Sequence, residues 1–126
     1  MIAVDSSSWI ALWRGDEGPD IVALEQAIFA GVAVLAPVVQ SELFSDPQLP
    51  AAQHEVLSQL PLLELCEGYW KRAGLLRAKL RAEGRKARLA DVLIAQACLD
   101  HDIPLITRDR DFKSLAAKID KLQLIL

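Results

Sequence analysis

The chain has 126 residues, 52% of them hydrophobic and 25% charged, which suits one domain over residues 1–126 and excludes a disordered, collagen-like or low-complexity protein. Its net charge of −3 hides an asymmetry: residues 1–70 hold ten acids and one base, residues 71–126 thirteen bases and seven acids. No apolar run nears the roughly 20 residues of a membrane span, and the Met1–Asp5 start lacks a signal peptide's basic segment, so a cytoplasmic protein without a membrane role is expected.

In chain order, Ile2–Val4 predicts a short strand ending at Asp5, and 8–13 a helical turn or two. Pro19–Ala30 predicts a helix, with Pro in its first turn and Gly31 as its stop. Val32–Ala36 reads as a second strand, and Pro37 opens a helix through Phe44. Pro50–Leu60 reads as another helix and Leu62–Leu65 as a third strand. From Glu67 to Glu83, the stripe Tyr69, Ala73, Leu76 and Leu80 marks a helix whose bases lie mostly off the stripe. Leu89–His101 is a helix, Leu105–Ile106 a fourth strand, Asp111–Ile119 a helix and Leu122–Leu126 a last strand. Strands alternating with helices point to a parallel sheet covered on both faces. Cys66 and Cys98 have no ligand-spaced neighbours and read as two buried thiols. Trp9 and Trp13 share a helix face that suits either core or interface, while Trp70 is expected near the core.

Ligands of open parallel sheets bind beyond the C-terminal ends of the strands. Asp5 follows the first strand, and Thr107 and Asp109 follow Leu105–Ile106. Glu42 lies three and four residues beyond Val39 and Val38, on the apolar stripe of its helix, where a carboxylate needs a partner. Asp91 sits in the first turn of its helix, which alone is an ordinary helix feature. Four converging acids would repel unless a cation balanced them, and a carboxylate cage suits Mg²⁺ or Mn²⁺. Such a centre most often handles phosphodiesters. The only histidines, His54 and His101, do not suit a two-histidine nuclease, and nucleotide-binding and nucleophile-elbow motifs are absent.

The segments Ile2–Ser7, Pro37–Leu43, Leu89–Ala95 and Ile103–Phe112 resemble, in order, the four motifs of PIN domains. The short form is similar to the VapC toxins of toxin–antitoxin pairs. Ser6 stands where Thr is usual, which keeps the hydroxyl. The resemblance implies an α/β fold, a three-layer α/β/α sandwich with a mostly parallel sheet of four to five strands. It implies a Mg²⁺-dependent endoribonuclease (Mn²⁺ also suiting it) that hydrolyses RNA by a metal-activated water. By position, Asp5, Glu42, Asp91 and Asp109 would be its acids, with Asp5 and Asp91 most directly on the metal. Asp109 would stand close by or act through water, Glu42 would orient the attacking water or a second ion, and Ser6 and Thr107 would fix carboxylates and waters. Ser6, Ser7 and Ser8 read as hydrogen-bonding support for Asp5 and the helix start, not as nucleophiles. Asp111 either extends the acidic cluster or starts the helix of 112–119, and the N-cap preference favours the latter.

Lys71–Arg88 holds eight bases and one acid. It is either a solvated face or a backbone grip for RNA, with Arg85, Lys86 and Arg88 nearest Asp91. The resemblance further implies a homodimer and a small DNA-binding antitoxin that inserts a basic side chain among the acids. Trp9, Trp13 and Phe44 would give that partner its apolar grip. Two other readings are a PIN nuclease of RNA maturation or decay without an antitoxin, and a phosphoacceptor signalling domain. The latter lacks a second acid near Asp5 and a Lys after Thr107.

Overall fold

A computed structural model describes residues 1–126. Its centre is a sheet of four short strands: β1 (Ile2–Val4), β2 (Ala33–Val34), β3 (Leu105–Ile106) and β4 (Leu124–Ile125). All pairings are parallel, in the order β2-β1-β3-β4. The inner strands are apolar on both faces because both are covered; Ala3, Val4, Leu105 and Ile106 are all buried. The register pairs Ala3 with Leu105 and Val4 with Ile106, so Asp5 and Thr107 leave the sheet side by side.

Seven helices surround the sheet: α1 (Ser6–Trp13), α2 (Pro19–Ala30), α3 (Pro37–Phe44), α4 (Ala51–Gln59), α5 (Tyr69–Ala82), α6 (Leu89–His101) and α7 (Arg110–Ala116). The chain leaves β1 toward β2 in one direction and crosses back over β1 to reach β3. Right-handed crossovers therefore put α1 and α2 on one face and the α3–α6 excursion on the other. The point where the direction reverses lies between β1 and β3, where such sheets keep their sites. The expected α/β architecture with a mostly parallel sheet is the one observed. Pro37 takes the first turn of α3 and Gly31 closes α2 in the left-handed conformation, as their sequence positions require.

Three expectations are corrected. The segment 62–65 does not form a strand; a single parallel bridge joins Leu62 to Leu35, leaving a rudimentary fifth edge. Trp70 is 67% exposed, because the buried stripe of α5 runs through Tyr69, Ala73 and Leu80 and turns the next residue outward. Cys66 is only half-buried, with its Sγ 3.9 Å from His101 Nε2, whereas Cys98 is buried and its thiol is pushed up to about 12 by that burial. Trp9 belongs to the core at 1% exposure, tilted against the half-buried ring of Trp13.

Candidate active site

Asp5 ends β1 and is buried. Its Oδ2 accepts hydrogen bonds from the hydroxyls of Ser7 at 2.7 Å and Thr107 at 3.0 Å. Thr107 Oγ1 in turn accepts from the backbone N–H of Asp109 at 3.0 Å, and Ser7 Oγ accepts from that of Arg108 at 3.3 Å. The two strand ends are thus stitched together through the carboxylate of Asp5. Of the three serines it is Ser7 whose hydroxyl holds Asp5, while the Ser6 hydroxyl bonds to the Glu42 carboxyl. The N–H groups of Ser8 and Trp9 donate to the backbone carbonyl of Asp5 at 3.2 and 3.4 Å, and this first turn brings the side chain two positions on within reach of the carboxylate.

Asp91 is carried by the first turn of α6 and is half-buried. Carboxylate oxygens of Asp91, Asp109 and Asp111 lie within 4.8 Å of one another. The N-cap of α7 is Asp109, whose Oδ1 accepts from the Asp111 N–H at 2.9 Å. The helix therefore starts two residues earlier than an N-cap at Asp111 would place it. Asp111 stands inside the first turn, and its carboxylate joins the acidic group. Arg88 approaches its outer side, with Nη2 3.7 Å from Asp111 Oδ2.

Glu42 does not lie on the buried stripe of α3, which runs through Val39 and Leu43; as a residue it is exposed. Its carboxyl still feels the cluster. Partial burial, then the charges of Asp5 and Asp91, and lastly that of Asp109, raise its pKa, against a smaller opposing effect of the Ser6 hydroxyl. Asp91 is raised further, to about 6, by burial first and then by Asp109 and Asp5, with Arg88 opposing. The structure thus gathers Asp5, Glu42, Asp91, Asp109 and Asp111 into one field of negative charge at the switch point of the sheet, with Arg88 at its outer edge. Glu42 and Asp91 favour their protonated forms, through burial first and then through neighbouring charges, and an all-carboxylate donor set of this kind fits a hard divalent cation such as Mg²⁺ or Mn²⁺.

Two clefts flank this row. One, of about 250 Å³, is lined by Arg85, Lys86 and Arg88 together with Asp91 and Asp111. The other, of about 270 Å³, lies between α1, α3 and the start of α4; Ile10, Trp13, Leu43 and Leu49 form its apolar floor, and Glu42 and Asp46 are on its rim. The basic stretch is not uniform. Arg72 is committed to Asp100, with Nη2–Oδ2 at 2.6 Å, and Arg77 Nε donates to the carbonyl of Ala87 at 2.9 Å. Those two link α5 to α6 and its approach, while Arg85, Lys86 and Arg88 stay exposed.

Arg108, between Thr107 and Asp109, carries no role that its sequence position reveals. It forms a two-pronged ion pair with Asp20, Nε–Oδ2 and Nη2–Oδ1 each at 2.9 Å. Asp20 is 2% exposed, its Oδ2 also accepts from Ser8 at 2.8 Å, and the Arg108 guanidinium holds its carboxyl below the usual range. A first-turn Asp in α2 carries no signal that distinguishes it from an ordinary helix start.

The PIN domain family profile matches residues 2–118. No curated protein sequence matches the chain. Among solved structures, VapBC-1 from nontypeable Haemophilus influenzae is similar at 23% identity and a TM-score of 0.73, covering 98% of this chain and 96% of that one. FitAcB from Neisseria gonorrhoeae is similar at 20% identity and 0.72, covering 100% and 97%. VapBC2 from Rickettsia felis, bound to a DNA fragment from its promoter, is similar at 21% and 0.69, covering 98% and 97%. These likenesses carry the fold, and the profile, matching nearly the whole length, carries the family: the chain belongs to the PIN domain family, a family of nucleases.

Proposed function

We propose that this protein is a Mg²⁺-dependent endoribonuclease and the toxin of a toxin–antitoxin pair. The observation that carries the reading is the gathering of five carboxylates at the switch point of a PIN sheet, beside a cleft lined by three exposed bases. Asp5, Asp91 and Asp109 would hold the metal, with Asp111 at its outer side, and Ser7 and Thr107 fix the orientation of Asp5. A divalent ion bound there supplies a Lewis acid that activates water and steadies charge on the phosphate. Arg85, Lys86 and Arg88 grip the phosphates that the acids alone would repel. Glu42, at the opposite rim, orients the attacking water. Water attacks phosphorus, the bond to the 3′ oxygen breaks, and the products carry 5′-phosphate and 3′-hydroxyl ends. No histidine stands among the site residues to promote attack by the ribose 2′-hydroxyl, so cyclic phosphates are not expected.

The toxin assignment rests on a second observation. The apolar cleft with Glu42 on its rim suits a partner segment that is apolar along its length and basic at one point. Trp13 lines that cleft and Phe44 is half-buried nearby against His54, whereas buried Trp9 offers no grip. The similar structures are of VapBC and FitAB complexes, two of them with DNA. The partner proposed is therefore a small DNA-binding antitoxin. Homodimer formation is part of the same reading, supported by exposed Trp70 and Leu75 on α5.

The test is incubation of purified protein with labelled total RNA in Mg²⁺, Mn²⁺ or EDTA, beside Asp5→Asn. Metal-dependent cleavage lost in the variant is expected, and EDTA-resistant cleavage overturns the assignment. Cleavage with no inhibitory product of a neighbouring gene would favour a nuclease of RNA maturation or decay.

A further inference from the structure

We propose that the Arg108–Asp20 ion pair is a positioning device for the acidic centre, setting the placement of Asp5 and Asp109 through the main chain between Thr107 and Asp109. The inference rests on the reading of that centre as a metal site.

Thr107, Arg108 and Asp109 follow a strand of only two residues, and such a short strand cannot alone fix the three residues beyond it. Their backbone is held by two bonds to hydroxyls: Arg108 N–H to Ser7 Oγ, and Asp109 N–H to Thr107 Oγ1. Both hydroxyls end on Asp5 Oδ2. A shift of the segment by a few tenths of an ångström would therefore move the carboxylates of Asp5 and Asp109 together. Besides the bond from the Thr107 N–H to the Ile125 carbonyl at 3.0 Å and that from the Phe112 N–H to the Asp109 carbonyl at 3.2 Å, the segment is anchored by the side chain of Arg108, which reaches the start of α2.

There the guanidinium is fixed along two edges. Nε and Nη2 engage both oxygens of Asp20, Nη2 also donates to the carbonyl of Glu17 at 3.0 Å, and Nη1 reaches Asp16 Oδ2 at 3.5 Å. Asp20 is locked in turn by Ser8, one residue from Ser7. Gly18 leaves room for the pair: a Cβ there would sit 2.8 Å from Asp20 Oδ1 and 3.1 Å from Arg108 Nη2. A planar fork matched by a buried carboxylate fixes direction as well as distance, which a lysine ammonium would not. Four of the five acids of the centre are charged groups without a base in contact, yet the most fully engaged arginine of the chain is spent on Asp20. That allocation suits a device for geometry more than for charge balance.

The test uses the full chain. Breaking one half of the pair would bury a lone charge, so the main variant is Asp20→Leu with Arg108→Met, which removes both charges at similar volume. Arg108→Lys serves as the conservative partner. Mn²⁺ affinity is measured by titration at a temperature where circular dichroism shows every variant folded, and kcat and KM are measured on labelled RNA. The double variant is expected to bind Mn²⁺ about 10–100-fold more weakly, as loss of groups that orient metal ligands does. Its kcat should fall while KM for RNA, set by the Arg85–Arg88 cleft, stays near wild type; Arg108→Lys should recover part of the Mn²⁺ affinity. A folded double variant with Mn²⁺ affinity and kcat within twofold of wild type overturns the positioning role and leaves the metal centre intact. Wild-type protein that binds no Mn²⁺ overturns both.

Discussion

Asp91 keeps its proton to about pH 6 in the folded protein, against 3.8 for the same group unperturbed. Between those values the folded state binds more protons than the unfolded chain, so the metal-free protein loses stability as pH rises from about 4 to 6 and stays level above that, as far as this group decides. A divalent cation must displace that proton, so its affinity should climb through the same window. Thermal melts of wild type and Asp91→Asn in EDTA and in Mn²⁺ across pH 4–7.5 check both slopes; metal-free melts of the two that change in parallel through this window would remove Asp91 from the strained cluster. Asp91→Asn should raise the metal-free melting temperature at pH 7 by relieving the repulsion from Asp109 and Asp5. Asp5→Asn should stay folded and lose more activity than the about 10–100-fold that loss of a metal ligand's outer partner costs. Retained cleavage in that folded variant, assayed on RNA, would exclude Asp5 from the chemistry. Asp5, Asp91 and Asp109 are legible in the sequence because each follows a strand or opens a helix, whereas Glu42 stands out only through the family resemblance, since it is off the buried stripe of α3. That the row Ser6–Ser8 supports Asp5 is legible too, but not that Ser7 is the one to do so, which depends on how α1 leaves β1; Asp20 is not legible, because a first-turn Asp looks like any other.

Helix α5 shows how far a pattern reaches. Its buried stripe can be read from the spacing of Tyr69, Ala73 and Leu80, because one wet face and one dry face impose a helical period. The same spacing says nothing about what each base does. Arg72 and Arg77 join α5 to α6 and the segment before it, whereas Arg85, Lys86 and Arg88 lie beyond the helix, past Gly84, and line the cleft beside Asp91. Replacing those three with Ala should weaken RNA binding and reduce the salt slope by about 0.7 for each phosphate no longer neutralised, with Mn²⁺ binding retained. Binding measured between low and moderate salt gives the slope, and an unchanged one would return the stretch to a solvated surface. Leu62–Leu65 misleads for a related reason. An apolar run flanked by proline reads as a strand, but here the ladder stops after one bridge to Leu35. Trp70 misleads too, because an aromatic beside a buried Tyr carries no sign of which way the helix turns it.

At the scale of the molecule the acids form a boundary, with a basic cleft on one side and an apolar one on the other. Substrate and inhibitor would then approach from different sides and meet only at the carboxylates. Replacing the partner's inserted base with Ala should restore most ribonuclease activity while the complex persists, which a cleavage assay beside a pull-down would show. Recovery only on dissociation would mean that the partner blocks by covering the site. Sedimentation of wild type and Leu75→Glu checks the pairing; a wild type that sediments as a monomer excludes it. The bonds that orient Asp5 come in part from Thr107, 102 positions later in the chain. Synthesis runs toward the C-terminus, so a nascent chain carries Asp5 and Ser7 long before it gains Thr107 and Asp109. On the proposed reading, the acidic centre cannot be assembled, and the nuclease cannot act, before Asp109 has been added to the growing chain.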